Sequence, residues 1–250
     1  MTEEGNELFR QRVKARQPIN GEYYHRLING IINDVNKGLA PVIVVSGQMG
    51  KGKSMGALEL TRILHNEVKL MKNEINEDKV KENLVYDALP FLEFIYNNKR
   101  EVLIFDEAGV NLNSKEWYSK FNRSVDKTLQ TMRKNNCVYI FIAPTLQDLD
   151  NAIINVVNYV IEFIYQGCAK VTKIENKYGK IENQGSDVNK YPLYKPYWTP
   201  DLPPKPLMGA YREKEEKWKD DLLEDQIEQL REEKRQEERE KKTADINDVL

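Results

Sequence analysis

The chain has 250 residues, 40% of them apolar, enough to bury one sizeable core with appendages. A net charge of −2 leaves no whole-chain footprint for nucleic acid or membrane, so any charged surface must be local. No apolar run approaches the ~18 residues of a spanning helix and the N-terminal stretch is polar, so the expectation is a cytoplasmic protein without direct membrane insertion. The two cysteines, Cys137 and Cys168, lack the spacing of a zinc site or a Cys-x-x-Cys pair and read as reduced core thiols.

Residues 1–20 read as a polar arm. From Gly21 to Lys37, Tyr24, Leu27, Ile28, Ile31, Ile32 and Val35 recur at helical spacing and stop at Gly38, which predicts an amphipathic helix with a glycine cap. The apolar run "PVIVV" leads into a glycine-rich loop, a helix from about Lys53 to Lys72, and a polar linker with charges of both signs. "NLVYDAL" reads as a second strand, "FLEFIYN" as a helix, "EVLIFDEAG" as a third strand, and "CVYIFIAP" and "YVIEFIY" as the fourth and fifth. Apolar, β-branched runs separated by helical patterns imply an α/β fold with a mainly parallel sheet covered on both faces. "KVTKIENKYGKIEN" reads as a hairpin turning at Tyr178–Gly179. The expected division is an arm over 1–20, an α/β domain over 21–185, an extended proline-rich arm over 186–208, and a charged helix and tail over 209–250. His25 and His65 lie far from each other and from acid clusters, and read as structural or surface residues.

The loop "SGQMGKGKSMG" carries the first chemistry. Gly47, Gly52, Lys53 and Ser54 satisfy G-x-x-x-x-G-K-[ST], with Gly50 tightening the pattern. Glycines let backbone N–H groups turn inward around phosphate oxygens, and the following helix offers its positive N-terminus. Residues 47 to 55, which are Gly47, Gln48, Met49, Gly50, Lys51, Gly52, Lys53, Ser54 and Met55, are therefore the candidate cradle for ATP. Lys53 would reach the β- and γ-phosphates, and the Ser54 hydroxyl would hold Mg²⁺. "VLIFDEAG" supplies an acid at the end of a neighbouring strand: Asp106 for Mg²⁺ and Glu107 one residue on. Side chains alternate along a strand, so the two carboxylates point differently, and Glu107 can polarise the attacking water while Asp106 serves the metal.

These residues resemble the P-loop ATPases with an additional strand and a catalytic glutamate, and among them the FtsK and HerA class of DNA-translocating motors. The resemblance runs from about Leu39 to Tyr165 and rests on "GQMGKGKS", "LIFDEAG" and "LQTMRKNNCVYIFIAPTLQDLDNAIINVVNYVIEF". It implies a RecA-like core with a five-stranded sheet in the order 5-1-4-3-2, ATP and Mg²⁺ as cofactors, and a ring of six subunits acting on DNA in genome packaging or conjugative transfer. A protein-secretion or phage-assembly ATPase like the zonula occludens toxin group is the alternative within the family, and a nucleotide-dependent scaffold with little turnover the alternative outside it. Thr145 and Gln147 follow the fourth strand, where the family places a γ-phosphate sensor. They stand as Thr-Leu-Gln where the family has the two residues adjacent, and they equally suit a helix cap and a first-turn polar group.

Between Lys115 and Lys134 six basic residues face two acidic ones, with Trp117, Tyr118 and Phe121 interleaved, so this is the chain's local positive surface. Arg123 or Arg133 suits an arginine finger reaching a neighbouring subunit, others suit DNA phosphates, and a plain solvated helix suits all of them. Six prolines between Tyr191 and Leu207 favour an extended arm lying in an apolar groove. From Tyr211 to Lys242, 23 of 32 residues are charged, and Trp218, Leu222, Leu223, Ile227 and Leu230 form a stripe of about two heptads, short of a sustained coiled coil. That helix is expected either to stand solvated or to bind a portal-like or membrane-bound partner.

Overall fold

A computed structural model of the chain describes residues 22–68, 75–106, 134–149, 151–177, 180–184 and 197–247. In chain order these form α1 (Glu22–Asn36), β1 (Val42–Gly47), α2 (Lys53–Glu67), α3 (Glu77–Asn83), β2 (Leu84–Val85), α4 (Ala88–Asn97), β3 (Val102–Phe105) and β4 (Val138–Ala143). A single 3-10 turn (Leu146–Asp148), α5 (Asn151–Ile154), β5 (Tyr159–Tyr165), β6 (Cys168–Lys177), β7 (Lys180–Gln184), β8 (Tyr197–Trp198) and α6 (Lys205–Asn247) follow.

Eight strands form one sheet in the order β2-β3-β4-β1-β5-β6-β7, with β8 paired to β6. The first five are parallel to their neighbours, and β6, β7 and β8 extend the sheet antiparallel, so the sheet is larger than five strands. Lys177 pairs with Lys180, which leaves two residues for the hairpin turn read from the sequence.

Alternation along the strands divides the core into two layers. Ile43, Val45, Ile104, Ile140 and Ile142 face one side, under Ile31 and Val35 of α1, Leu60 and Leu64 of α2, Val80 of α3, and Leu207, Ala210 and Tyr211 of α6. Val42, Val44, Leu103, Phe105 and Phe141 face the other, under Phe91 and Ile95 of α4 and Ile153 of α5. Cys137 and Cys168 are buried and are not joined in a disulfide.

Several elements differ from the sequence expectation for local reasons. α1 ends as expected, with Gly38 at φ 78° and its N–H on the Val35 carbonyl at 2.9 Å. α2 stops at Glu67 rather than near Lys72, because Val68 takes an extended conformation. The mixed-charge linker contains a helix instead, α3, started by the Asn76 side chain accepting from the Lys79 N–H at 2.8 Å. "NLVYDAL" is only half strand: Asp87 is the N-cap of α4 and Pro90 sits in its first turn, where a missing N–H costs nothing. The charged helix begins at Lys205, not 209, with Pro206 again in the first turn. Of the proline-rich arm, residues 186–196 lie outside the described residues, and the rest is held by β8, with Trp198 at 2% exposure in the core.

At about 1.5 Å per residue α6 is roughly 65 Å long. Its first turns pack on the core, while Leu223, Ile227 and Leu230 further along are exposed. Among the described residues no helix is long and apolar enough to cross a membrane.

Ile43 lies between β4 and β5 in the middle of the sheet with no exposed surface. Ile43→Ala is expected to lower the unfolding free energy by about 2–5 kcal/mol, read from a urea denaturation curve.

Candidate functional site

β1 ends at Gly47, and α2 begins after an intervening loop, residues 48 to 52. Gly47, Gly50 and Gly52 have φ of 138°, 76° and 95°. At Gly47 glycine is needed twice over, since a Cβ there would also lie 2.6 Å from the Phe163 carbonyl oxygen on the paired strand β5. The loop is pinned from three directions. Gly47 N–H donates to the Pro144 carbonyl at the exit of β4 at 3.0 Å, Lys51 N–H donates to the Gln48 carbonyl at 3.3 Å, and the Lys51 carbonyl accepts from Gly167 N–H, in the turn between β5 and β6, at 2.9 Å.

The N-cap of α2 is Gly52, which offers no side chain to the first amides of the helix. A helix start with free-facing amides and no capping side chain is suited to an anion. Gln48, Met49 and Gly50 are exposed, Met49 at 95%. Lys53 lies against the loop, its Nζ donating to the Gln48 carbonyl at 3.3 Å. Met55 faces inward and packs on the core layer beneath α2.

Asp106 follows β3 directly and is 4% exposed. Two residues beyond Ile104, it falls on the α2 side of the sheet, and its N–H donates to the Val85 carbonyl at 3.0 Å. Ser54 Oγ donates to Asp106 Oδ2 at 3.2 Å. A hydroxyl and a carboxylate oxygen side by side, next to a cradle of amides, form a donor set that fits Mg²⁺ completed by phosphate oxygens and water.

The same carboxylate oxygen accepts a hydrogen bond from the Tyr211 hydroxyl of α6. Burial, together with the neighbouring Asp106 charge, pushes the Tyr211 phenol well above its ordinary pKa, so it stays a neutral donor. One turn further on, Lys214 Nζ donates to the carbonyls of Lys81 and Leu84, where α3 runs into β2. Burial lowers the Lys214 pKa, partly opposed by Glu82. Another turn on, Trp218 stacks on Tyr86 with ring centroids 4.6 Å apart and hydrogen-bonds Asp87, whose carboxyl burial pushes up. Lys81 Nζ meets Glu213 at 2.7 Å.

The structure thus brings Lys53, Ser54 and Asp106 to one end of the parallel strands, with Thr145 just past the end of β4. Both the amide and the hydroxyl of Thr145 donate to the Asp148 carboxylate, at 2.8 and 2.9 Å, which makes Thr145 the cap of the 3-10 turn, and Gln147 is exposed within that turn. Glu107, Arg123 and Arg133 lie outside the described residues, as does the basic segment up to Lys134, which is exposed at the start of the following described stretch.

Phe163 and Tyr211 were missed. Nothing local marks Phe163, which matters only because β5 lies against β1. Tyr211 had a signal: Leu207, Ala210, Tyr211, Lys214 and Trp218 follow helical spacing, and the proline content hid it.

No protein-family profile matches the chain, and no curated protein matches it. Among solved structures it is similar to a DNA polymerase III gamma subunit-related protein from Thermotoga maritima, with TM-score 0.37 and 9% identity over 54% of this chain and 45% of that one. It is also similar to the N-terminal domain of zonular occludens toxin from Neisseria meningitidis, with TM-score 0.35 and 16% identity over 63% of this chain and 100% of that one. RuvB from Thermotoga maritima, in a single-site variant, gives TM-score 0.36 and 12% identity over 57% of this chain and 44% of that one. The chain therefore spans less than half the length of two of these three proteins, and likenesses of this size bear on neither activity nor substrate.

Gly56, in the second turn of α2, tests how firmly Phe163 supports the loop. A Cβ there would lie 2.2 Å from Phe163 Cζ, and the ring is 2% exposed. Alanine gains about 1 kcal/mol of helix propensity over glycine, but overpacking a buried ring costs about 1–3 kcal/mol. At so short a distance the clash wins. Gly56→Ala is expected to lower the urea midpoint, and Phe163→Leu in the same chain to recover part of the loss; a Gly56→Ala chain at least as stable as the parent would show that the ring moves aside.

Proposed function

We propose that the chain is a magnesium-dependent ATPase, with nucleotide held at the C-terminal ends of β1, β4 and β3. The observation that carries this reading is the Ser54–Asp106 hydrogen bond. It joins the glycine loop to a buried carboxylate from a strand two places away, and a solvated turn has no use for that arrangement. In open α/β sheets this end of the parallel strands is where ligands sit.

MgATP, when bound, supplies the transferable phosphoryl group and the neutralisation of its charge. The chain does the rest. Backbone N–H groups from Gln48 to Ser54 and the Lys53 ammonium bind phosphate oxygens, while Ser54 and Asp106 offer the oxygens for the cation. Glu107, next in the chain, orients the attacking water and accepts its proton.

The finer reading is a DNA-translocating motor of the FtsK and HerA kind, working as a ring of six. Its support is the motif resemblance together with the six basic residues and three aromatic ones between Lys115 and Lys134. Arg123 or Arg133 then completes a neighbour's site, and the exposed part of α6 is available to a portal-like partner.

Two measurements test the reading. In equilibrium binding of ATP, Lys53→Ala is expected to weaken affinity by about tenfold or more, while Glu107→Gln binds as the parent does yet turns over roughly a hundredfold more slowly. A Gln variant as active as the parent removes Glu107 from the mechanism. For the cargo, DNA affinity is expected to fall steeply with salt and to drop when Lys120, Arg123 and Lys127 are neutralised together. Binding indifferent to that triple change rules out this segment as the DNA surface.

A further inference from the structure

The Tyr211 hydroxyl needs an explanation that packing does not give. Tyr211 has no exposed surface, and its ring belongs to the core layer between α2, α6 and the sheet. Phenylalanine would fill that layer equally well and would not bury a polar atom. The hydroxyl instead reaches Asp106 Oδ2, the oxygen that also accepts from Ser54. The hydroxyl is wholly buried with its ring, whereas the loop residues Gln48, Met49 and Gly50 are exposed.

Its placement is set by three turns of helix rather than by one contact. Lys214 holds the junction of α3 and β2 through two backbone carbonyls, and Trp218 stacks on Tyr86. Any shift of α6 along or away from this edge therefore moves the hydroxyl relative to Asp106.

We propose that Tyr211 is a positioning residue for the cation-binding carboxylate, and that through it α6 is coupled to the magnesium-loaded state of the nucleotide site. This rests on the ATPase reading above. A carboxylate that holds a metal is kept in orientation by its own hydrogen-bond donors, and removing such a donor costs about 10–100-fold in metal affinity. With two hydroxyls on one oxygen, Asp106 keeps Oδ2 turned to Ser54 and cannot rotate freely about its side-chain bond. Coupling is reciprocal, so whatever tightens the cation site through Tyr211 must also steady the start of α6.

The test uses the whole chain and a fluorescent ADP analogue, titrated with Mg²⁺ and, separately, bound in EDTA. Tyr211→Phe is expected to raise the Mg²⁺ concentration at half-saturation roughly tenfold or more, with affinity in EDTA changed by less than about twofold. A purely structural role would lower the melting temperature and leave the Mg²⁺ midpoint in place. A midpoint within about twofold of the parent's, in a parent whose binding does depend on Mg²⁺ and Ser54, overturns the role of Tyr211 and leaves the ATPase reading standing. A parent that binds no nucleotide overturns both. If Tyr211→Phe does not fold, the unaltered chain decides: amide hydrogen exchange over residues 205–218 is expected to slow about fivefold or more when Mg²⁺ is added to the ADP-saturated protein. Exchange indifferent to Mg²⁺ overturns the coupling.

Discussion

A carboxylate taken almost wholly out of water must find hydrogen-bond donors or lose its charge. Asp106 meets that demand from two distant parts of the chain, the glycine loop through Ser54 and the long C-terminal helix through Tyr211. The rest of the site depends on this one constraint. It ties the start of α2 to the end of β3, and it joins both to a helix that core packing, Lys214 and Trp218 also hold at this edge of the sheet. A buried group served by several segments is also a point where those segments become mutually dependent.

The glycine loop is held by a second, steric constraint. Gly47 lies directly against the backbone of β5, and Gly56 lies under the same phenylalanine, so β5 serves as the floor of loop and helix alike. The Pro144 carbonyl, accepting from Gly47, and the Gly167 N–H, donating to Lys51, close the loop from either side of β1. A loop supported this way presents its amides in a fixed direction before any anion arrives, which removes the ordering cost from binding.

α6 then has two distinct parts. Its first turns belong to the core and to the site, through Tyr211, Lys214 and Trp218. Its later turns are rich in charge, and Leu223, Ile227 and Leu230 there are exposed. A continuous helix that touches Asp106 in its first turns can carry a change there along its length to its exposed turns. No flexible linker intervenes between the described turns to dissipate it.

Much of this was legible in the sequence where the signal is local. The five apolar runs became strands because β-branched residues buried on both faces leave no helical period to compete. The glycines, Lys53 and Ser54 lie within eight residues of one another, and Asp106 closes an apolar run, so short spacing alone marked them as a candidate phosphate loop and its acid, and the structure puts Ser54 against Asp106. Where local cues conflicted, the reading failed. Mixed charges hid α3, an apolar flavour carried a strand past Asp87 into a helix cap, and prolines concealed the start of α6. Nothing in the sequence could place Phe163 under the loop or Tyr211 against Asp106. Those contacts join residues more than a hundred positions apart in sequence, and they exist only because strand order, the face on which each side chain emerges and the path of α6 are settled by packing the whole core at once.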